Sequence, residues 1–168
     1  LPEADEWRSE AWAMMRERQD LSFVIETKRE HRFFKALPDD WEDGYENVTI
    51  LCSVENQRRA DDRIPAFLKL PVRHKGILCE PLLEKLVLDA YLKTGEIAQV
   101  LCGGEEGADA RVCDFAWVLE LMNQCVRCGV TFRFLRTGTF FRKGNRTYRI
   151  AEEEQEEQAR RAGVDYTP

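Results

Sequence analysis

The chain has 168 residues, of which 43% are hydrophobic and 33% are charged, and its formal net charge is −6. A chain of this length buries enough surface in one domain to fold without disulfides or structural metals. The negative charge disfavours indiscriminate binding to nucleic acid, and no apolar run reaches the roughly 20 residues that span a bilayer. We therefore expect one domain over residues 1–168 with no membrane partner and, because the first residue is not methionine, a fragment of a longer protein.

Segments with a helical apolar period alternate along the chain with short apolar runs, which predicts alternating helices and strands. In chain order, the predicted elements are a helix over 3–19, a strand over 21–27, a helix over 29–37, a strand over 48–54, a helix over 57–70, a strand over 76–79, a short helix or irregular crossover over 81–91, a strand over 97–102, a helix over 114–128 and a strand over 130–135. Strands that are apolar throughout indicate a parallel sheet covered by helices.

Individual residues give further detail on two of these helices and on the C-terminal part of the chain. Pro65 predicts a break or kink near Arg63, because proline removes one backbone hydrogen bond and clashes with the preceding turn. Asp114 and Gly129 are suited to cap the start and the end of the helix between them. Residues 139–168 are expected to form a β-hairpin, which turns at Lys143-Gly144-Asn145, and then a charged helix.

The predicted fold class is α/β, with parallel strands that alternate with helices. Three strands end in similar motifs, TILCSVEN, GILCEPLL and QVLCGGEE, each with aliphatic residues, a cysteine and then small or polar residues. A repeat of this kind is typical of a partial TIM-type β/α barrel. A doubly wound open sheet fits the same pattern, so both architectures remain open at this point.

Six cysteines are placed where reduced thiols pack as small apolar residues. Three lie in apolar strands and three in or beside one helix, unlike the framework of a disulfide-rich secreted domain. This placement predicts reduced thiols and a cytoplasmic location. Cys125 and Cys128 lack the second pair that a four-ligand metal site needs, so we expect them to pack in the core and predict no metal site.

Polar residues follow all five predicted strands. In parallel α/β folds the carboxyl ends of the strands meet at one edge, where ligands bind. We therefore expect Glu26, Glu55, Glu80 and Glu105 to gather around a common pocket, although a set of structural ion pairs gives the same pattern. The glycine-rich turn at 103–107 is a candidate ligand contact, but its spacing is not that of a dinucleotide fingerprint.

A basic segment lies near the C-terminus. No acidic residue occurs between Glu120 and Glu152, whereas seven arginines or lysines do. With the neighbouring phenylalanines, this composition is compatible with nucleic-acid binding through Arg142, Lys143 and Arg146. The alternation of the phenylalanines in 130–135 with Arg133 also fits core packing.

Several segments, in this order, resemble an uncharacterised phage-associated family, often labelled phage protein gp thirty-seven/gp sixty-eight: ETKRE, SVENQRR, RHKGILCEPLLE, LCGGEEGADARVCDFAWV, NQCVRCGVTFRF and RTGTFFRKG. The resemblance covers most of residues 5–166. Full-length members look like radical-SAM-type barrels, with three closely spaced N-terminal cysteines suited to a [4Fe–4S] cluster.

The resemblance implies that the full-length protein binds S-adenosylmethionine and a [4Fe–4S] cluster at the carboxyl ends of the strands. The implied catalytic residues are Lys28, Glu55, Glu80 and Arg136, and the implied cofactor-binding residues are Asn56, Gly103, Gly104 and Glu105. The family's Gly-Gly-Glu-Ser-Gly turn has Glu106 in place of serine here, and its Lys-Gln-Thr-Gly has become Leu135-Arg136-Thr137-Gly138.

The sequence lacks the cysteine-bearing N-terminal segment of the family, so this fragment is expected to hold no cofactor and to be catalytically inactive. Its substrate is expected to be a small molecule or related to nucleic acid. The alternative function is non-catalytic binding of nucleic acid or a partner protein through the basic region at residues 127–149.

Overall fold

The computed structural model describes residues 2–33 and 37–168. The helices and strands in this part of the chain are, in order, α1 (Pro2–Glu17), β1 (Phe23–Thr27), α2 (Glu30–Phe33), β2 (Val48–Ser53), α3 (Gln57–Phe67), β3 (His74–Cys79), α4 (Asp89–Leu92), β4 (Ile97–Gly103), β5 (Cys113–Asp114), α5 (Phe115–Cys128), β6 (Thr131–Arg136), β7 (Phe140–Lys143), β8 (Arg146–Arg149) and α6 (Glu152–Arg161). The predicted helix at 29–37 falls partly outside the described residues.

Within residues 2–33 and 37–168, the central sheet contains five parallel strands in the order β1-β2-β3-β4-β6. This confirms the predicted class of parallel strands that alternate with helices. The strand order follows the chain without the reversal that marks a doubly wound sheet. It is the order found in part of a β/α barrel, whose closure remains a prediction.

The core lies against the middle of this sheet. Ile50, Ile77, Val100 and Phe132 are fully buried on four adjacent strands. Five of the six cysteines are buried and all six are free thiols, and burial raises the pKa of the Cys52 thiol to about 12. These thiols therefore pack as apolar groups.

Helix α5 begins and ends where its caps predict. The Asp114 carboxylate accepts a hydrogen bond of 2.8 Å from the backbone N–H of Ala116. Gly129 takes the left-handed conformation, with a φ of 66°, and the Val130 N–H that follows donates to the Cys125 carbonyl at 2.9 Å. Glycine adopts this conformation without the steric penalty of a side chain, so the helix ends there.

Of the predicted break or kink near Arg63, the break is wrong, because α3 continues through Pro65 to Phe67; the kink stays a prediction. Pro65 removes the one hydrogen bond that residue 65 would donate to the Asp61 carbonyl, and the helix ends two residues later. Ile64 and Phe67 on either side of it are fully buried, and this packing holds the turn in place. The Leu68 N–H still donates to the Ile64 carbonyl at 2.9 Å.

The C-terminal part contains the predicted hairpin and charged helix. Strands β7 and β8 pair antiparallel, and β7 also pairs with β5, a two-residue strand that the sequence analysis missed. Helix α6 packs on β6 and buries Gln155 and Ala159. Tyr166 then forms an antiparallel bridge with Phe132 on the outer edge of β6.

None of the helices in the described part of the chain combines the length and the hydropathy that a membrane-spanning helix requires.

Candidate functional site

The residues predicted from the strand ends lie at one edge of the central sheet, the carboxyl rim. Because the five strands are parallel, their carboxyl ends lie on that edge: Lys28, Glu55, Glu80 and Glu105 follow the ends of β1 to β4, and Arg136 is the last residue of β6. The parallel pairing therefore places these residues on a common rim.

A cluster of charges forms where β3, β4 and β6 end. The Nη1 atom of Arg136 donates to Glu106 at 2.7 Å, and its Nε atom lies 2.9 Å from Oε1 of Glu80. The buried Nε–H does not point at this oxygen, so the second contact is an ion pair without a hydrogen bond. One arginine thus lies between two carboxylates, and its own hydrogen bond goes to Glu106.

Glu80 is electrostatically distinct from the other rim carboxylates. Burial raises its pKa above the ordinary value; Arg136 opposes this shift, and the carboxylates of Glu106 and Glu26 add to it. The Glu80 side chain keeps about a quarter of its surface exposed, with a relative exposure of 24%. It therefore remains accessible to a ligand that supplies a positive charge or a hydrogen-bond donor.

A shallow depression of about 300 Å³ opens beside these charges. Its lining consists of Glu80, Pro81, Gly104, Glu105, Glu106 and Arg136. The depression is therefore framed by three carboxylates and one guanidinium, a charge pattern that suits a ligand with a cationic group and a smaller anionic one.

The glycines at this edge are required by packing. A Cβ atom on Gly104 would overlap the carbonyl group of Thr137, and one on Gly103 would press on the Glu80 carboxylate. The Gly104 N–H donates to the Arg136 carbonyl at 3.0 Å, which holds the end of β4 against the end of β6. The two glycines bring Glu80 and Arg136 together, so they position the site whether or not they touch a ligand.

Lys28 and Glu55 form a second group on the same rim. Lys28 lies 3.3 Å from one Glu55 oxygen, and Arg63 of α3 lies 3.1 Å from the other. Burial acts to raise the pKa of Glu55, but a backbone hydrogen bond and the charges of Arg63 and Lys28 leave that pKa below its ordinary value. Glu55 is therefore held as a carboxylate between two cations.

Asn56 and Glu105, two of the predicted cofactor-binding residues, have structural contacts. The Asn56 side-chain oxygen accepts from the Arg59 N–H at 3.0 Å and caps α3. Glu105 accepts hydrogen bonds from the side chain and the backbone N–H of Arg111, and these bonds lower its pKa to about 2. Both residues shape the rim, and their role toward a ligand remains a prediction.

The four glutamates expected around a common pocket share the carboxyl rim, but they do not line one depression. Glu80 and Glu105 line the depression, whereas Glu55 faces Lys28 and Arg63, and Glu26 accepts a hydrogen bond from Ser53. Sequence reasoning missed Arg63 and Arg111. No strand-end signal marks either residue, because Arg63 reaches the rim from a helix and Arg111 from a loop.

Some basic residues of the segment at 127–149 form ion pairs with carboxylates in the described part of the chain and others do not. Four of its seven basic residues have carboxylate partners: Arg127 with Asp89, Arg133 with Asp165, Arg136 with Glu80 and Glu106, and Arg142 with Asp114. The other three, Lys143, Arg146 and Arg149, lie on the hairpin and have no carboxylate partner among the described residues. Nucleic-acid binding by this segment stays a prediction, and it would depend on Lys143 and Arg146 more than on Arg142.

No group of three or more His, Cys, Asp or Glu side chains in residues 2–33 and 37–168 is arranged to hold a metal ion. Burial raises the pKa of Cys79 and Cys102 well above the ordinary value, which disfavours the thiolate that binds iron. The donor set described here therefore does not fit an iron–sulfur cluster.

The fold and the rim define a singly wound parallel α/β protein with a charged depression at the carboxyl ends of its strands. Over residues 3–165 the chain matches the family described as "Protein of unknown function (DUF5131)", and it belongs to that family. No curated protein and no solved structure matches the chain. The prediction of an uncharacterised family is thus confirmed, while its links to phages and to radical-SAM enzymes remain predictions.

Proposed function

We propose that the chain supplies the ligand-binding rim of a radical-SAM-like enzyme, and that the depression beside Glu80 and Arg136 holds the amino-acid group of S-adenosylmethionine. The observation that carries this proposal is the close approach of these two opposite charges, 2.9 Å, in an accessible depression at the carboxyl rim. The resemblance to radical-SAM-type barrels supports the choice of ligand.

The charges suit the two ends of an amino acid. The α-ammonium group would bind to Glu80, whose carboxylate accepts no hydrogen bond from Arg136. The α-carboxylate would bind to the guanidinium of Arg136, which is 31% exposed and presents a planar set of donors. The surplus of carboxylates at the depression also favours a ligand with the additional positive charge of a sulfonium.

The iron–sulfur cluster would have to be held by residues other than those described here, since their donor set does not fit it. Radical chemistry is what the cofactor pair supplies when it is bound. The residues of this chain would bind and orient S-adenosylmethionine. The free thiols support the cytoplasm as the location of this protein.

Calorimetric titration of the purified chain with S-adenosylmethionine tests the proposal. We expect Glu80→Gln and Arg136→Gln each to weaken binding by about tenfold or more, since each removes a charge that contacts the ligand. Methionine should compete with S-adenosylmethionine, because the two share the amino-acid group.

A matched control is Arg73→Gln. Arg73 is also ion-paired, with Glu46 at 2.6 Å and Asp43 at 2.7 Å, but it precedes β3 and so lies at the opposite edge of the sheet. The Arg73→Gln variant should therefore bind S-adenosylmethionine as tightly as the unmodified chain does. Loss of affinity in Arg73→Gln equal to that in the rim variants, or no binding of S-adenosylmethionine to the unmodified chain, would refute the proposal.

A further inference from the structure

A second cavity, of about 390 Å³, lies between the β7–β8 hairpin, the start of α5 and α6. Its volume falls within the range of small-ligand sites, roughly 300–1,000 Å³. It has no lining residue in common with the depression at the carboxyl rim. A ligand here would therefore bind independently of the proposed amino-acid site.

One wall of this cavity is aromatic. Phe141 and Tyr148 are directly opposite each other in the hairpin, so their side chains lie on the same face. Phe115 at the start of α5 packs edge-on against Phe141, with ring centroids 5.7 Å apart. Tyr148 is 45% exposed although it has this apolar wall beside it. An exposed aromatic ring next to a partly apolar cavity is suited to stack on a planar ligand.

The cavity also contains positive charge. Lys143 and Arg149 line it and have no carboxylate partner among the described residues, and the Lys143 Nζ atom lies 5.2 Å from the centre of the Phe115 ring. Arg161 lines the opposite side and is paired with Glu157 on its own helix at 2.5 Å. Glu154 is the one acidic residue among the described residues of the lining. The net charge of the lining is positive in a protein whose total charge is −6.

We propose that this cavity binds a nucleotide, with the base against Tyr148 and the phosphate at Lys143. The aromatic wall accounts for the planar base, and Lys143, on the same face of the hairpin as Tyr148, accounts for the phosphate. Glu154 supplies an acceptor for the ribose hydroxyls or for an amino group of the base. A simple anion would use Lys143 but not the ring, and an apolar ligand would use the ring but not Lys143.

The same nucleotide chemistry can come from a free mononucleotide or from the end of a nucleic-acid strand. Arg146 distinguishes these sources. It lies at the tip of the hairpin on the same face as Tyr148, but it does not line the cavity. A longer strand that enters the cavity would pass near Arg146, whereas a mononucleotide would not reach it.

The test is equilibrium binding of the purified chain to adenosine monophosphate, inorganic phosphate and a short 5′-phosphorylated oligonucleotide. We expect Lys143→Gln and Tyr148→Ala each to weaken binding of adenosine monophosphate by about tenfold, and Tyr148→Ala to leave phosphate binding unchanged. The control is Arg160→Gln, which removes a cation from α6 that does not line the cavity. Circular dichroism of each variant checks that the fold is retained.

If the natural ligand is the end of a nucleic-acid strand, Arg146→Gln should weaken binding of the oligonucleotide but not of adenosine monophosphate. If the natural ligand is a free mononucleotide, Arg146→Gln should change the affinity for neither of them. The proposal is overturned if adenosine monophosphate does not bind at about 1 mM, if it binds no better than inorganic phosphate, or if Arg160→Gln weakens it as much as Lys143→Gln does. Because none of these variants touches Glu80 or Arg136, failure here leaves the proposed rim function unaffected.

Discussion

Gln124 offers the sharpest test of what holds the carboxyl rim in place. This fully buried residue of α5 accepts hydrogen bonds from the N–H groups of Leu88 and Asp89, at 2.5 and 3.1 Å, and donates to the Leu86 carbonyl at 2.8 Å. One amide thus satisfies three backbone groups of the irregular segment that leads away from Glu80 and Pro81.

Replacing Gln124 with leucine keeps a similar volume but removes all three hydrogen bonds. The Leu88 N–H and the Leu86 carbonyl are then buried without partners, at about 1–3 kcal/mol each, while the partly exposed Asp89 N–H can turn to water. We expect the free energy of unfolding to fall by about 3–5 kcal/mol, a large fraction of the roughly 5–15 kcal/mol that stabilises a typical domain.

Urea unfolding followed by circular dichroism measures this loss, and the matched control is Gln57→Leu. Gln57 bonds the backbone of Val87 in the same segment, at 2.8 and 3.2 Å, but at an exposed position where water can replace it. The control should lose no more than about 1 kcal/mol. Equal losses in the two variants, or a loss below about 1 kcal/mol in Gln124→Leu, would show that the buried amide does not hold this segment.

Two further predictions concern the end of β4. Gly104→Ala should destabilise the protein by about 3 kcal/mol or more, because the added methyl group would overlap the Thr137 carbonyl. The control is Gly107→Ala, in open space at a φ of 114°, which should lose about 1 kcal/mol from backbone strain alone. Similar melting temperatures for the two variants would contradict this prediction. Glu105 has a folded-state pKa of about 2, against an ordinary value of 4.5, so its stabilising effect is present above about pH 4.5 and is lost as the pH falls toward 2. The urea midpoint of Glu105→Gln should therefore change less with acidification than that of the unmodified chain, and parallel pH profiles would refute the assignment.

The sequence allowed the best predictions where a structural feature depends on neighbouring residues. Asp114 and Gly129 set the ends of α5 through contacts within a few residues, so their chemical types alone identified them. The parallel sheet followed from apolar strands, and the carboxyl rim followed from the sheet. The break at Pro65 was mispredicted because the burial of Ile64 and Phe67, which depends on the tertiary fold, outweighs a local preference.

The parts of the site that could not be predicted depend on contacts between distant residues. Arg63 and Arg111 reach the rim from α3 and from a loop, and neither has a local sequence signal. The basic segment looked uniform in sequence, yet Arg142 is paired with Asp114, 28 positions away, while Lys143 next to it has no carboxylate partner in the part of the chain that the structure describes. Charge that is available for binding can therefore be counted only after the fold is known.

The two edge strands of the central sheet differ in the backbone contacts on their outer sides. Phe132 exchanges backbone hydrogen bonds with Tyr166, and the Phe134 N–H donates to Asp165, so the outer side of β6 is already occupied. In the described part of the chain, no strand lies on the outer side of β1. A further strand beside β6 would therefore have to displace Asp165 and Tyr166 from these contacts.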